Sequence, residues 1–305
     1  MTALARRLAD VIRAHGPISI ERFMALALDA YYGRRDPLGV AGDFTTAPEI
    51  SQIFGELVGL WCAERWLAAG KPAPVRWIEL GPGRGTLMAD ALRAGATVPG
   101  LSDAVRVHLV ERSPALRRTQ RRRLPHAQWH DGLADVPAGF GLIVANEFFD
   151  ALPIRQLVHT DAGWRERGIG LSGDAFVPVA LQAGPDLAAL VPPCLRAAPI
   201  GSIFERHEQA ESMITAIAAR LAAAGGWALI FDYGHGQARL GETLQALRRH
   251  DYAPVFADPG KADLSAHVDF AALVHAAAAA GAGVWGPVGQ GVFLERLGIG
   301  ARAQR

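Results

Sequence analysis

Three glycines spaced by two residues, Gly81, Gly83 and Gly85, follow an apolar run that has an acidic residue, Glu79, near its end. Glycine lets the backbone turn sharply and lets a ligand approach more closely than a Cβ atom would permit. A dinucleotide-binding loop needs a third glycine where this sequence has Thr86. A carboxylate beside the loop favours a cationic, amine-bearing ligand such as S-adenosylmethionine and would repel a phosphate. A purely structural turn is the alternative interpretation.

Polar residues also lie at the ends of the next two short apolar runs, near 106–111 and 128–130. Glu111 ends the second run, where a carboxylate can accept hydrogen bonds from both ribose hydroxyls or can interact with the helix that follows. Asp131 ends the third run and is followed by Gly132 and Leu133. An Asp there can accept from an adenine amino group while an apolar neighbour covers the ring. A plain Asp-Gly turn is the alternative.

Candidate catalytic side chains come later in the chain. Asn146 and Glu147 end the fourth apolar run and can present an amide and a carboxylate to a substrate nitrogen, with capping of the next helix as the alternative. His267 is a candidate general base near neutral pH, and a hydrogen-bonded structural histidine is its alternative.

The elements that position these residues alternate between strands and helices from Val75 onward. Such alternation predicts right-handed βαβ units and a parallel sheet, at whose carboxyl edge ligands bind. The predicted strands of this sheet are 75–80, 106–111, 128–130, 142–145 and 227–231.

Other segments depart from that pattern. The first seventy residues predict a helical lead-in, in which the glycine-punctuated stretch 31–49 is a functional loop. Three short strands at 155–158, 164–169 and 176–181 predict an inserted antiparallel meander, and 284–285 with 291–296 predict a closing hairpin. We therefore expect four regions: a helical extension with a cofactor-covering loop (1–72), the first part of the core (73–153), the meander and linker (154–205), and the second part of the core (206–305).

Composition excludes several classes of protein. The chain has 305 residues, a formal net charge of +1 and 50% hydrophobic residues, which exclude disordered, collagen-like and disulfide-stapled chains. The balanced charge argues against nucleic acid as a partner, so the basic run 117–123 is interpreted as a solvated helix face. Cys62 and Cys194 have no neighbouring metal-ligand pattern, so we expect no metal site and two reduced thiols in the core.

The sequence also bears on location and origin. We expect no membrane-spanning segment, since the most apolar stretch, 271–286, is alanine-rich and contains His275. The N-terminus resembles neither a secretory signal nor a clear transit peptide, which makes the cytoplasm the expected location. Positive charge comes almost entirely from Arg, which is typical of a GC-rich bacterial genome.

Several of these motifs, taken together and in order, resemble the MidA-like methyltransferases, the family that includes the mitochondrial complex I assembly factor acting as a protein-arginine methyltransferase. The matching segments are 42–51, 54–56, 79–87, 146–153, 232–234 and 262–270.

The resemblance implies an α/β fold: a Rossmann-like class I methyltransferase sheet of seven strands, an N-terminal helical extension and the inserted antiparallel β-meander. It implies S-adenosylmethionine as cofactor, and a protein substrate methylated on arginine, for which Glu147 is the first candidate to bind the guanidinium and Asn146 to position cofactor or substrate. The residues implied around the cofactor are Thr45, Thr46, Glu49, Glu79, Gly81, Gly83, Gly85, Glu111, Asp131, Gly132 and Leu133.

Three alternatives stay open at this point. The same enzyme could act on a small molecule or another protein side chain; the chain could be an NAD-dependent oxidoreductase; or it could be a non-enzymatic assembly chaperone with a relict cofactor pocket. We expect relatives to continue with a further C-terminal segment beyond residue 302. The sequence leaves the oligomeric state open, with a homodimer as one option.

Overall fold

A computed structural model of the chain describes residues 2–33, 43, 45–181 and 187–303. Most of the predicted functional loop at 31–49 lies outside these residues. The chain divides into two compact units, each built from three segments. The first unit comprises Met1–Arg34, Asp150–Ser212 and Tyr233–Leu273, and the second comprises Arg35–Phe149, Met213–Asp232 and Val274–Arg305. The four regions expected from the sequence stay a prediction.

The described residues form helices and strands throughout the chain. The helices are α1 (Ala3–His15), α2 (Ile20–Tyr32), α3 (Ala47–Ile50), α4 (Gln52–Ala68), α5 (Thr86–Gly95), α6 (Leu101–Ala104), α7 (Pro114–Arg123), α8 (Glu208–Ala224), α9 (Phe270–Ala279), α10 (Gln290–Arg296) and α11 (Ile299–Ala303). Short 3-10 helices occur at Leu133–Asp135, Leu187–Leu190 and Pro193–Leu195.

The strands are shorter on average than the helices. They are β1 (Ile18–Ser19), β2 (Val75–Leu80), β3 (Val105–Val110), β4 (Gln128–His130), β5 (Gly141–Asn146), β6 (Arg155–Thr160), β7 (Gly163–Ser172), β8 (Ala175–Ala180), β9 (Ile203–Arg206), β10 (Gly226–Phe231), β11 (Gly234–His235), β12 (Gln245–Arg248), β13 (Asp251–Ala253), β14 (Asp263–Ser265) and β15 (Val268–Asp269).

The second unit contains the predicted parallel sheet, in the order β10-β5-β2-β3-β4. In its register Leu80 pairs with Val110 on one side and with Ala145 on the other. Backbone hydrogen bonds continue past the strand ends, from Gly81 N–H to the Val110 carbonyl and from Glu111 N–H to the His130 carbonyl. The carboxyl ends of β2, β3, β4 and β5 therefore share one edge of the sheet, as the sequence analysis expected.

One face of this sheet forms the core of the second unit with α4 and α5. Trp77 of β2 and Leu142 of β5 are fully buried there, together with Val58 of α4. A Cβ at Gly59 would overlap the backbone of Ala91, so glycine at this position lets α4 and α5 pack closely. The last helix of the predicted lead-in, α4, thus covers the sheet that carries the glycine loop.

The first unit has a different architecture. Antiparallel pairing joins the strands in the order β1-β7-β6-β9, and β8 also pairs with β7. This sheet confirms the inserted meander and extends it to five strands. Ser19 caps α2 through its side chain, and Phe23 of that helix is fully buried with Ile20 and Ile169. Asp269 accepts the Ala272 N–H and so caps the start of α9.

Three expectations are corrected. The predicted closing hairpin is wrong because Gln290–Arg296 is a helix, α10. The parallel sheet has five strands among the described residues, where the resemblance implied seven. Cys62 is buried as expected, whereas Cys194 is exposed.

None of the helices in the described part of the chain is both long and apolar enough to cross a membrane.

Candidate active site

The glycine loop connects β2 to α5 at the carboxyl edge of the sheet. Its three glycines adopt φ angles of +60° at Gly81, +53° at Gly83 and +76° at Gly85. Other residues adopt this left-handed region only with strain, which explains the glycine spacing seen in the sequence. A Cβ at Gly81 would lie 2.8 Å from a ring carbon of Phe148. The loop is therefore packed against the segment that follows β5.

Glu79, two residues before the glycine loop, carries a buried carboxyl group. The residue is 3% exposed, and its Oε2 atom has no hydrogen-bond partner among the described residues. Burial raises the pKa of Glu79 to about 8; the Met88 N–H opposes this shift and the charge of Glu111 adds to it. A buried carboxylate without a counter-charge is costly, so a cationic ligand group would stabilise it.

Glu111 is buried and engaged by the helix that follows. Its Oε1 accepts the Ser113 N–H at 2.7 Å, and its Oε2 accepts from the Gln120 side chain at 3.2 Å. Burial raises its pKa, and the two hydrogen bonds oppose that shift. This is the alternative that the sequence analysis gave for Glu111. Each carboxylate oxygen can still accept one more hydrogen bond, so contact with ribose hydroxyls stays a prediction.

The residues after β4 show a more exposed arrangement. Asp131 has an 80% exposed side chain and pairs with Arg117 at 2.7 Å. The Gly132 N–H donates to Asp135, and Leu133 is buried at the start of a short 3-10 helix. Leu133 has the burial expected of an apolar cover, whereas Asp131 is held at the surface by an arginine. Their contacts with a cofactor stay a prediction.

The segment before α4 reaches the glycine loop through Glu49. One carboxylate oxygen of Glu49 accepts from the Thr86 hydroxyl, and the other pairs with Arg84 at 3.4 Å. Thr45 and Thr46 precede α3 and are half-buried. Thr86 occupies the position where a dinucleotide loop has glycine, and its side chain here binds Glu49 instead. The covering role of the 45–49 segment stays a prediction.

Asn146 and Glu147 stand where β5 ends. Glu147 has a φ of +48°, and its N–H donates to the Phe231 carbonyl at the end of β10. The Asn146 side-chain amide donates to Glu147 Oε1 at 3.3 Å. A positive φ at a glutamate is strained, and such strain is concentrated at functional sites. Asp232 fixes the same segment by accepting the Phe149 N–H at 2.9 Å.

His267 lies in the first unit. Its Nδ1 accepts from Arg239 at 3.1 Å, and burial followed by the charge of Arg239 lowers its pKa. The hydrogen bond with Arg239 uses the lone pair that a general base would need. The catalytic role of His267 stays a prediction.

Sequence reasoning missed Gln120, which joins several parts of the site. This fully buried side chain donates to the Gly83 carbonyl at 2.7 Å and to Glu111, and accepts from Trp129 at 2.8 Å. The only available signal was a glutamine within the arginine-rich run of α7. On that helix Leu116 and Gln120 are the buried residues.

The sequence matches the model of a known protein family. A family model described as "Putative S-adenosyl-L-methionine-dependent methyltransferase" matches residues 57–288. The chain belongs to this family of S-adenosylmethionine-dependent methyltransferases. The buried Oε2 atom of Glu79, which has no hydrogen-bond partner among the described residues, and the three glycines of the loop fit such a cofactor, whose amino group is cationic.

Curated relatives agree over nearly the whole chain. Protein arginine methyltransferase NDUFAF7 of Danio rerio is 36% identical over 335 residues, covering 99% of this chain and 78% of the relative. The mouse protein of the same name is 37% identical, covering 99% and 76%. Both are named as mitochondrial. The expectation of a cytoplasmic location is therefore wrong, and the bacterial origin stays a prediction.

Solved structures show the same fold. The crystal structure of a COG1565 superfamily member from Burkholderia thailandensis bound to S-adenosyl-homocysteine is 28% identical, with a TM-score of 0.84 over 99% of this chain and 83% of that one. A native structure from the same organism gives 29% identity and a TM-score of 0.81, covering 99% and 82%. These findings confirm the fold class, the enzyme class and the cofactor, and they argue against an oxidoreductase.

Proposed function

We propose that this methyltransferase acts on the guanidinium group of arginine in a protein substrate. The observation that carries the proposal is the strained Glu147 beside Asn146, on the edge of the sheet where the glycine loop lies. The names of the curated relatives, which are protein arginine methyltransferases, support the same substrate.

Glu147 is suited to bind a guanidinium. A carboxylate pairs with two N–H groups of arginine and draws positive charge towards them, which orients a remaining nitrogen and leaves it more nucleophilic. The hydrogen bond from the Glu147 N–H to the Phe231 carbonyl fixes the backbone of Glu147, and the Asn146 amide restrains one oxygen of its carboxylate. Such restraint provides alignment, which is the main requirement of an in-line methyl transfer.

The cofactor would be held by the elements around the glycine loop. Bound S-adenosylmethionine supplies an electrophilic methyl group. Glu79 would pair with its amino group, the glycine loop would allow close approach, and Glu111 would receive its ribose hydroxyls. The remaining predicted contacts are Thr45, Thr46, Glu49, Asp131, Gly132 and Leu133, and His267 is retained as a candidate base.

The identity of the substrate protein is a further part of the proposal. The resemblance to a family that includes a complex I assembly factor makes a respiratory complex subunit the first substrate to test. A homodimer is the first oligomeric state to test. Methylation of a small molecule or of another protein side chain is the competing outcome.

Replacement of Glu147 tests the catalytic role. We expect Glu147→Gln to bind S-adenosylmethionine normally but to lose methyl transfer, because a neutral amide cannot balance the guanidinium charge. Binding is measured by calorimetric titration, and transfer by mass spectrometry of arginine-containing proteins incubated with the enzyme.

Two controls make the result specific. Glu295→Gln makes the same chemical change at an exposed position of α10 and should leave both measurements unchanged. Gly83→Val should abolish cofactor binding itself, since a branched side chain would block the loop. Unchanged turnover in Glu147→Gln would refute the role of Glu147, and methyl groups found elsewhere than on arginine would refute the substrate class.

A further inference from the structure

A cluster of positive charge lies at the amino edge of the parallel sheet, opposite the edge that carries the glycine loop. Arg76 near the start of β2 is the register partner of Arg106 on β3, so the two side chains share one face of the sheet. Val75 and Trp77, on either side of Arg76, belong to the core of the other face. The arginines therefore lie on the face away from α4 and α5.

A third arginine reaches the same edge from α8. Arg220 Nη1 donates to the Val136 carbonyl at 3.0 Å, and its Nη2 donates to the Pro137 carbonyl. Two residues further along that loop, a Cβ at Gly139 would lie 3.7 Å from Arg76 Nε. Arg76 and Arg220 thus border one loop, the one that leads into β5.

This positive charge has no counter-charge in the described residues. Arg76, Arg106 and Arg220 form no ion pair there, and the Nε atoms of Arg76 and Arg220 are buried without a hydrogen-bond partner. Burial, and then the charge of Arg76, lower the pKa of Arg220, which shows that the two guanidinium groups repel each other. Buried donors without acceptors are costly, so an acceptor at this place would stabilise the fold.

A histidine pair adds an unpartnered ring nitrogen to this cluster. His108 on β3 is 1% exposed, and its Nδ1 lies 2.9 Å from His130 Nε2 on β4. The other ring nitrogen of His108 is buried and has no partner within the described part of the chain. Burial, followed by the charges of His130, Arg76 and Arg220, lowers the pKa of His108 to about 4.

Three charged residues, Asp135, Arg117 and Arg220, act on His130. Burial lowers its pKa, Asp135 opposes this shift, and Arg117 and Arg220 reinforce it. Asp135 is the negative group acting on the pair, and it already accepts the Gly132 N–H. Neutral His130 donates its one ring N–H to the Asp135 backbone carbonyl, so its Nε2 accepts from the Nδ1–H of His108. The Nε2 atom of His108 therefore carries a lone pair, which can accept from a protonated phosphate oxygen.

We propose that Arg76, Arg220 and His108 form a binding site for a phosphate group on the face of the sheet away from α4 and α5. Arginine binds phosphate oxygens through paired N–H groups, and a dianion would balance the two guanidinium charges. Arg106 is exposed beside the site and adds attraction at longer range. Inorganic phosphate and the phosphate of a nucleotide share this chemistry. The site is separate from the one for methyl transfer and does not rest on the function proposed above.

Calorimetric titration of the full chain with inorganic phosphate, and separately with adenosine monophosphate, tests the proposal. We expect saturable binding of phosphate at constant ionic strength and no comparable effect of chloride. Arg76→Gln and Arg220→Gln should each weaken binding by about tenfold to a hundredfold, the loss expected for one charged hydrogen-bonding partner. Arg122→Gln removes the same charge from an exposed position of α7 and should bind normally. Tighter binding of the nucleotide would identify a phosphate monoester as the ligand, and equal binding would identify free phosphate.

A second measurement separates binding from folding. Arg220 also binds two backbone carbonyls, so its variant is first checked by near-ultraviolet circular dichroism; if it does not fold, Arg76→Gln alone decides the outcome. In nuclear magnetic resonance titrations, phosphate should raise the pKa of His108 above its value of about 4. Absence of saturable binding, or equal binding by Arg76→Gln and wild type, would overturn the proposal.

Discussion

At the scale of single residues, the protonation state of Glu79 should affect how the proposed cofactor site binds its ligand. Burial raises the pKa of this carboxyl to about 8, so at neutral pH it is mainly protonated. A cationic amino group pairs with the ionised form. With Glu79 paired to the amino group as proposed, we expect binding of S-adenosylmethionine near neutral pH to release a proton from Glu79.

We expect the affinity for S-adenosylmethionine to rise by up to about tenfold per pH unit as the pH approaches the pKa of Glu79 from below. Calorimetry in two buffers with different ionisation enthalpies measures the released proton directly. Glu79→Gln should bind more weakly and release no proton, whereas the exposed Glu295→Gln should behave as wild type. Wild-type binding without proton release would contradict the assignment of Glu79 to the amino group.

The same shift affects the stability of the unliganded protein. The pKa of Glu79 is raised from an ordinary value of 4.5 to about 8 in the folded state. Between these two values the folded protein retains a proton that the unfolded chain has lost, so this residue lowers the free energy of unfolding as the pH rises. Thermal unfolding from pH 5 to 8 should show this decline, and Glu79→Gln should remove part of it.

At the scale of elements, α7 supports the site from outside the sheet. Although this helix carries a run of arginines, its buried Gln120 bonds to the glycine loop, to the end of β3 and to β4. Arg117 and Arg123 contact the same region through Asp131 and Thr86. The helix whose arginine run was interpreted as a solvated face therefore also carries a buried side chain that bonds to three segments of the site.

Replacement of Gln120 by leucine tests this role. The Trp129 N–H and the Gly83 carbonyl would lose their partner, so we expect a destabilisation of about 1–3 kcal/mol and weaker cofactor binding. Urea unfolding and calorimetric titration measure the two effects. Arg122→Leu, on the exposed side of α7, should change the free energy of unfolding by less than about 0.5 kcal/mol. Equal effects of the two variants would show that Gln120 has no special role.

The sequence predicted the elements that follow local rules and missed those decided by packing. Apolar runs and acidic strand ends were sufficient to place Glu79, Glu111 and Glu147 on one sheet edge. The hairpin prediction failed because the apolar stretch 291–296 was interpreted as a strand, whereas Phe293 and Leu297 recur at helical spacing and pack on the core of the second unit. Gln120 was missed because its burial depends on β4 and the glycine loop, which no local pattern reveals.

At the scale of the whole molecule, each compact unit is assembled from separate stretches of chain. The core of the second unit combines Phe54 and Trp66 of α4 with Trp77 of β2 and Phe231 of β10. These residues come from parts of the chain that the sequence analysis assigned to three of its four regions. Folding of the parallel sheet thus depends on contacts between residues far apart in sequence.

The predicted region 73–153 provides a direct test of this dependence. Expressed alone, it would contain β2, β3, β4 and β5 but neither α4 nor β10, so the core face around Trp77 and Leu142 would be exposed to water. Such loss of apolar burial exceeds what a small domain tolerates. We expect the fragment to lack a cooperative urea transition and a near-ultraviolet circular dichroism signal, both of which the full chain should show. A cooperative transition in the fragment would establish 73–153 as an independent domain, whose folding does not depend on α4 or β10.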